Sequence, residues 1–221
     1  FFNFYLVHLI RKYDPDQTKI YPVFVGGDDL FIVGNWEAAV DFARKIRESF
    51  QEYTGKNPMY TLSGGIVCVP YDYPVIRTGS LAEEALVASK TYLYPGEDTT
   101  VKDKVTIFNE TLTWSELKIA WELGEKIAHT INQGNSSRAL IHKISNSLYD
   151  FNPLIEQSNQ KIIKPPAIWN FLYHLRNDKG IADLIEEIIL NNIFRDQKIK
   201  NPRLILVANR FAEMKTRKAM V

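Results

Sequence analysis

The sequence predicts an α+β domain followed by an all-α helical bundle. Two observations predict this fold class. Up to about residue 110, the chain reads in the order helix, hairpin, helix, strand, helix, strand. From Thr113 onward, every apolar pattern has a helical period, and short polar connectors join the segments. We therefore predict two domains, residues 1–110 and residues 111–221.

The first element is a predicted helix over residues 1–12, where apolar residues recur at helical spacing. The chain starts at Phe1 without an initiator Met, so this pattern is already under way at the first residue. We expect a preceding segment for that reason. In the polar loop KYDPDQTK that follows, Asp14 and Asp16 are expected to be solvated turn residues.

The stretch YPVFVGGDDLFIVGNW, residues 21–36, predicts a β-hairpin. Apolar, β-branched and aromatic residues, which suit a half-buried strand, flank Gly26, Gly27, Asp28 and Asp29 on both sides. We expect Gly-Gly at the tight turn, because glycine adopts a positive φ most easily. Adjacent carboxylates repel each other unless a cation lies between them, and oxygen ligands on a short turn suit Mg²⁺ or Mn²⁺. The alternative is that the two aspartates are ordinary turn residues.

Helices and strands alternate after the hairpin. The predicted elements are a helix over residues 36–53, a strand over MYTLSGGIVCVP, a helix over residues 80–93 capped by Ser80, and a strand over residues 104–108. Gly64 and Gly65 interrupt the first of these strands, which indicates that another backbone or a ligand comes close there. This order is most of a ferredoxin-like or palm-type sandwich that lacks its first strand.

Composition excludes several classes of protein. A net charge of +1 over 221 residues gives no strong overall attraction to nucleic acid or acidic lipid, so any nucleic-acid contact must be local. The sequence has no signal peptide and no apolar run of about 18 residues. The single cysteine, Cys68, allows no disulfide framework, which suits a cytoplasmic location. The four histidines lie on different predicted helices and lack metal-ligand spacing.

Two further patterns have both a structural and a functional interpretation. Ser63, Gly64 and Gly65 fit a phosphate loop poorly, because no lysine follows at Walker spacing and no helix is predicted to start there. The last predicted helix is basic, which is the ordinary character of a solvated face and is alternatively a groove for RNA backbone. Its cations are Arg203, Arg210, Lys215, Arg217 and Lys218.

The hairpin carries a family resemblance. VFVGGDDLFIVGNW resembles the hairpin of the nucleotide-cyclase and polymerase-palm superfamily that includes the GGDEF diguanylate cyclases, although Asp29 and Leu30 depart from Glu-Phe. With the runs TLSGGIVCVPYDYPV and AEEALVASK, it resembles more specifically the second palm domain of the large signature subunit of Csm-type (type III) CRISPR effector complexes. The resemblance covers residues 1–110, and residues 111–221 are similar in position and character to that subunit's C-terminal helical domain.

The resemblance implies an enzyme that joins ATP through 3′–5′ phosphodiesters into cyclic oligoadenylates. In that family, two carboxylates hold the Mg²⁺ or Mn²⁺ ions that neutralise the triphosphate, which implies that Asp28 and Asp29 are catalytic metal ligands. The implied partners are the other subunits of the effector complex, the guide RNA and the target RNA that activates synthesis. No membrane contact is implied.

The resemblance also implies a nucleotide site. Gly26 and Gly27 would let phosphates approach the turn without a side-chain clash. Lys90 matches a lysine near the end of the family's following helix, where it could pair with the β- or γ-phosphate, or else be solvated. Ser63 and Gly64 would border the nucleotide.

Two departures from the family limit the expected activity of this stretch of chain. The first palm strand, which in this superfamily contributes another metal-binding aspartate, would lie before Phe1. There is also no His-Asp pair of the kind found in the family's separate DNA-cutting domain. We therefore expect residues 1–221 alone to carry an incomplete cyclase site.

Two other functions remain open at this point. A GGDEF-type diguanylate cyclase is disfavoured by Asp29 in place of Glu and by the long helical tail. A non-catalytic palm scaffold within an RNA-guided complex is disfavoured by the intact Asp28-Asp29 pair, because a purely structural turn gains nothing from two adjacent charges.

Overall fold

The computed structural model describes residues 1–94, 102–149, 173 and 203–217. The chain divides into two compact units, the first formed by Phe1–Tyr92 with Val101–Trp114 and the second by Leu93–Thr100 with Ser115–Val221. The first unit is mixed α+β and the described part of the second is helical, so the predicted fold class is confirmed. The predicted domain boundary between residues 110 and 111 stays a prediction.

The first unit contains a hairpin, a small sheet and three helices among its described residues. In chain order its elements are α1 (Tyr5–Tyr13), β1 (Ile20–Gly26), β2 (Asp29–Gly34), α2 (Trp36–Tyr53), β3 (Gly64–Ile66), α3 (Val75–Thr91), β4 (Lys104–Ile107) and β5 (Glu110–Thr113). β1 and β2 pair antiparallel with each other. The sheet has the order β3-β4-β5, in which β3 and β4 are parallel and β5 is antiparallel to β4.

Helix α2 begins directly after the hairpin and runs back along it. A single residue, Asn35, separates β2 from α2, and its side-chain oxygen accepts a hydrogen bond from Glu37 N at 3.0 Å as an N-cap. Phe42 and Ile46 on α2 lie in one buried cluster with Ile20, and partly buried hairpin residues pack against that cluster. Because α2 starts at the open end of the hairpin and packs on it, its carboxyl end lies towards the hairpin tip.

Asp14 closes the connection between α1 and β1 and is not the solvated turn residue that the sequence suggests. It is only 3% exposed, and its carboxylate accepts hydrogen bonds from the backbone N–H groups of Lys19 at 2.7 Å and Ile20 at 3.0 Å. Asp16 is exposed, as predicted. The buried position of Asp14 depends on donors five and six residues ahead, which a local turn pattern does not reveal.

Three predicted elements have different bounds in the structure. The first is α1, which was predicted over residues 1–12 and spans Tyr5–Tyr13. β3 spans only Gly64–Ile66 of the longer predicted strand. α3 begins at Val75, so Ser80 lies inside the helix and is not its cap. The sequence did not indicate the first turn of α3, because Gly79 and Ser80 separate it from the apolar pattern that follows. In the structure Ile76 in this turn is 88% exposed, so burial does not mark the turn either.

Strand β5 was not predicted, and its turn explains why. The two residues that join β4 to β5 are Phe108 and Asn109, with φ of 51° and 63°. Positive φ at both central positions is the requirement of a type I′ hairpin turn, which Asn-Gly or Gly-Gly normally meets. A turn that contains Phe108 carries no such signal.

Gly65 is required by the packing of α3 on β3. A Cβ atom at Gly65 would lie 2.4 Å from Ala82 O, 2.4 Å from Leu86 N and 2.9 Å from Ala85 C, which are all backbone atoms of α3. We expect Gly65→Ala to destabilise the chain by about 2 kcal/mol in urea unfolding, since the helix would have to move. Gly79→Ala is the matched control, because its Cβ would meet only Phe31 at 3.8 Å. If both variants unfold like the wild type, the close approach of α3 to β3 is wrong.

The second unit is described by three helices. They are α4 (Trp114–Asn132), which starts at the boundary between the units, α5 (Ala139–Tyr149) and α6 (Leu204–Thr216). Within the described residues, none of the helices combines the length and apolar character that a bilayer crossing requires. Two of the stretches with helical period that follow Thr113, PPAIWNFLYHLRN and IADLIEEIILNNIFRD, lie outside the described residues, apart from Tyr173.

Candidate functional site

The tip of the hairpin is a two-residue turn formed by Gly27 and Asp28. Gly26 pairs with Asp29 as the last rung of the β1-β2 ladder, so the turn is Gly27-Asp28 and not the predicted Gly-Gly. Gly27 has φ of +62° at the first turn position, where a type II′ turn requires glycine. The prediction placed the turn one residue early, because sequence alone does not fix which glycine closes the ladder.

The turn presents two carboxylates to solvent on a bare backbone. Asp28 and Asp29 are both exposed, and a Cβ atom at Gly27 would meet no atom within 4 Å. The ring of Phe24, which is 55% exposed, lies against Gly26 on one side of the turn. The tip is therefore open to solvent at Gly27, Asp28 and Asp29.

The donor set at the tip suits a hard divalent cation that shares its coordination with a ligand. Among the described residues, no three or more His, Cys, Asp or Glu side chains are grouped closely enough to hold a metal ion. Two carboxylates are nevertheless what Mg²⁺ commonly takes from a protein when substrate phosphates and water supply the remaining oxygens. Asp28 and Asp29 fit that role, and their assignment as metal ligands stays a prediction.

An ion pair holds the amino ends of β3 and β4 against α2. Arg47, in the carboxyl-terminal part of α2, donates from Nε to Asp103 Oδ1 at 2.7 Å and from Nη2 to Asp103 Oδ2 at 2.6 Å. Asp103 directly precedes β4, whose partner β3 starts at the same end because the two strands are parallel. Since α2 runs back towards the hairpin tip, we expect Ser63 and Gly64, which lead into β3, at that end as well.

Lys90 lies at the same end of the unit. It is exposed in the last turn of α3. Two residues later, the carbonyl oxygen of Tyr92 accepts a hydrogen bond from Lys104 Nζ at the start of β4. The topology therefore brings Lys90 to the edge of the unit where β3 and β4 begin. Its contact with a phosphate stays a prediction.

The structure gives Gly64 a packing role beside the predicted nucleotide role. A Cβ atom at Gly64 would lie 3.1 Å from the Trp114 ring, and Trp114 Nε1 donates to the backbone oxygen of Leu62 at 2.8 Å. Together with the packing of Gly65 on α3, this contact explains both glycines without a ligand. The two glycines lie in strand β3 and are not followed directly by a helix, so this part of the chain is not a P-loop.

Sequence reasoning missed Arg47 and Asp103. Their positions are 56 residues apart, and neither belongs to a motif. One signal was present, because Arg47 falls on the face of α2 that also carries the buried residues Val40 and Ile46. A cation on the buried face of a helix requires a partner elsewhere in the chain.

Contacts and burial within the chain describe two other features of the sequence, Cys68 and the cations of α6. Burial raises the pKa of the Cys68 thiol to about 11, so the thiol stays protonated at neutral pH. On α6, Arg210 and Arg217 pair with Glu213 at 2.7 and 2.9 Å. Lys215 lies 3.5 Å from Glu125. These three cations have partners within the chain; the side chains of Arg210 and Arg217 are exposed, whereas that of Lys215 is largely buried. Lys218 lies outside the described residues.

Comparison with known proteins agrees with the geometry of the first unit. Residues 1–98 match the family described as Cas10/Cmr2, second palm domain. Similar curated proteins bear the name CRISPR system single-strand-specific deoxyribonuclease Cas10/Csm1 (subtype III-A). The protein of Methanocaldococcus jannaschii is 37% identical over 126 residues, which are 52% of this chain and 16% of that protein. The protein of Mycobacterium tuberculosis is 30% identical over 163 residues, 72% of this chain and 18% of that protein. The chain therefore spans less than a fifth of the length of these relatives.

Proposed function

Since residues 1–98 of this chain belong to the Cas10/Cmr2 family as its second palm domain, we propose that the chain supplies the metal-binding half of a nucleotidyl-transfer site. The proposed reaction is the synthesis of cyclic oligoadenylate from ATP in a type III CRISPR effector complex that has bound target RNA. One observation carries the proposal. Asp28 and Asp29 are adjacent, exposed carboxylates on a tight turn without a side chain at Gly27.

The candidate residues would have different roles in phosphoryl transfer. Asp28 and Asp29 would hold Mg²⁺ or Mn²⁺, which when bound neutralises the triphosphate and stabilises both the attacking and the leaving oxygen. Gly27, where a Cβ atom would meet nothing within 4 Å, would leave the space through which phosphates reach the turn, whereas at Gly26 the Phe24 ring lies 2.9 Å from the Cβ position. Lys90 adds a cation at the same end of the unit, where it would pair with a β- or γ-phosphate oxygen.

The alternatives remain less well supported than ATP oligomerisation. A diguanylate cyclase would be expected to match the GGDEF family, whereas the matched family is the Cas10/Cmr2 palm. A non-catalytic scaffold gives no reason for two exposed adjacent carboxylates at a bare turn. The similar curated proteins are named deoxyribonucleases, but no His-Asp pair occurs in this sequence, so we do not assign DNA cleavage to this stretch.

The proposed partners are the other subunits of the effector complex together with guide and target RNA. The helical second unit would dock them through cations directed at phosphates, a salt-sensitive contact that reads no base sequence. The paired arginines of α6 lessen the case for that helix as the RNA-binding face. A cytoplasmic location, suggested by the single Cys68, is part of the same proposal.

The proposal is tested by product analysis with the complete protein in its assembled complex. We expect cyclic 3′–5′ oligoadenylate from ATP in the presence of Mg²⁺ or Mn²⁺ and target RNA, and no product from GTP alone. A chelator should abolish synthesis, because the carboxylates by themselves leave the triphosphate charge unneutralised. Thin-layer separation of labelled products gives the readout. Cyclic product from GTP would favour the diguanylate cyclase, and no product from either nucleotide would favour the scaffold.

A further inference from the structure

The ion pair between Arg47 and Asp103 joins three separate segments at the site end of the first unit. Arg47 belongs to α2, and Asp103 directly precedes β4. The Asp103 carboxylate also accepts a hydrogen bond from Leu62 N at 3.3 Å, and the Asp103 backbone N–H donates to Ser63 Oγ at 3.3 Å. The pair therefore connects α2 and β4 to the two residues that lead into β3.

The arginine of the pair is buried, and its partner has an unusual backbone conformation. Arg47 is only 7% exposed, and its Nη1 atom is buried without a hydrogen-bond partner among the described residues. Asp103 has φ of +85°, a conformation that side-chain-bearing residues rarely adopt and that persists only where the surroundings enforce it. The bidentate contact with Arg47 and the two backbone hydrogen bonds provide that enforcement.

Ser63 is oriented by this arrangement. One lone pair of its Oγ accepts the Asp103 N–H, so the hydroxyl proton must point elsewhere and remains available as a donor. Ser63 is half-buried and lies, like Lys90, at the edge where β3 and β4 begin, which the course of α2 is expected to bring to the hairpin tip. A hydroxyl donor fixed in one direction loses less freedom on binding an acceptor than a rotating one does.

We propose that Ser63 donates a hydrogen bond to an oxygen of bound ATP, and that Arg47 and Asp103 are positioning residues that set the direction of this hydroxyl. The inference rests on the proposed function, since ATP is the ligand. It assigns a role in nucleotide binding to two residues that touch neither the nucleotide nor the metal.

The first test removes the hydroxyl in the complete protein within its assembled complex. We expect Ser63→Ala to raise both the KM for ATP and the Kd for a non-hydrolysable ATP analogue about ten-fold, the ordinary effect of losing one hydrogen bond to a charged oxygen. The melting temperature should fall only slightly, because the variant removes one acceptor, 3.3 Å from the Asp103 N–H, and leaves the Arg47–Asp103 pair in place. Ser63→Thr keeps the hydroxyl and should bind almost normally, and Ser80→Ala, an exposed serine on α3, is the matched control. Unchanged binding by Ser63→Ala would overturn the inference.

The second test asks whether Arg47 acts through Ser63. Arg47→Lys keeps the charge but loses the bidentate contact, so it should raise the KM for ATP several-fold where Ser63 is present. Combined with Ser63→Ala it should add almost nothing, because the two residues act on one hydrogen bond. An equal effect of Arg47→Lys in both backgrounds would show a merely structural role and contradict the proposal.

The two proposals fail in different ways. If the wild type makes cyclic oligoadenylate while Ser63→Ala binds the analogue normally, the inference about Ser63 is wrong and the proposed function stands. If the wild type neither binds the analogue nor forms product, both are wrong.

Discussion

Replacing Asp28 and Asp29 together with alanine is expected to abolish cyclic oligoadenylate synthesis by the complete protein in its complex. The two carboxylates are the metal-ligand candidates at the tip, and loss of a metal that stabilises the transition state by about 4 kcal/mol slows the reaction about 1,000-fold. Labelled ATP and thin-layer analysis of the products would measure the loss. The melting temperature and RNA binding should stay unchanged, since both side chains are exposed.

The control for this variant must change the charge by the same amount elsewhere. Asp16→Ala with Asp72→Ala removes two exposed carboxylates of the first unit that are not on the hairpin. We expect this double variant to synthesise product at the wild-type rate. Undiminished product from the hairpin variant would remove the enzymatic interpretation of this domain, and an equal loss in both variants would point to overall charge as the cause.

Sequence patterns predicted the elements whose signals lie within a short stretch of chain. The hairpin and α2 were found with bounds accurate to one or two residues, because alternating apolar residues, a glycine turn and a regular helical period all lie within short windows. The start of α3 and strand β5 were missed, since an exposed first turn and a turn through Phe108 give no such window. Long-range contacts decide those two elements.

Some residues of the candidate site could likewise be predicted from local sequence, and others could not. Asp28 and Asp29 could be predicted from turn chemistry and charge repulsion alone. The nearness of Ser63 and Lys90 to the hairpin end depends on how the parallel strands β3 and β4 and the helices before them run, which only the folded chain shows. Arg47 and Asp103 meet across 56 residues, so no spacing rule could find them.

The second large effect is expected from Asp103→Ala, which should lower the free energy of unfolding by about 3 kcal/mol. The side chain of Arg47 is 8% exposed, and the Asp103 carboxylate is its ion-pair partner at 2.6 Å. Without that carboxylate, the Arg47 guanidinium stays buried, and no ion pair offsets the free-energy cost of its desolvation. Urea unfolding measures the loss. Arg210→Ala breaks an ion pair of similar length whose arginine is 61% exposed, and should cost less than about 0.5 kcal/mol.

An apolar replacement of both partners separates stability from nucleotide binding. Arg47→Met with Asp103→Gly removes the buried charge and its partner together and places glycine where φ is +85°, so we expect it to recover most of the stability that Asp103→Ala loses. It cannot restore the carboxylate that accepts from Leu62 or the bidentate contact with Arg47. Ser63 would lose its fixed direction, so the stable double variant should still bind the ATP analogue about ten-fold more weakly. A double variant that regains both stability and tight binding would show that Arg47 and Asp103 contribute to the fold alone.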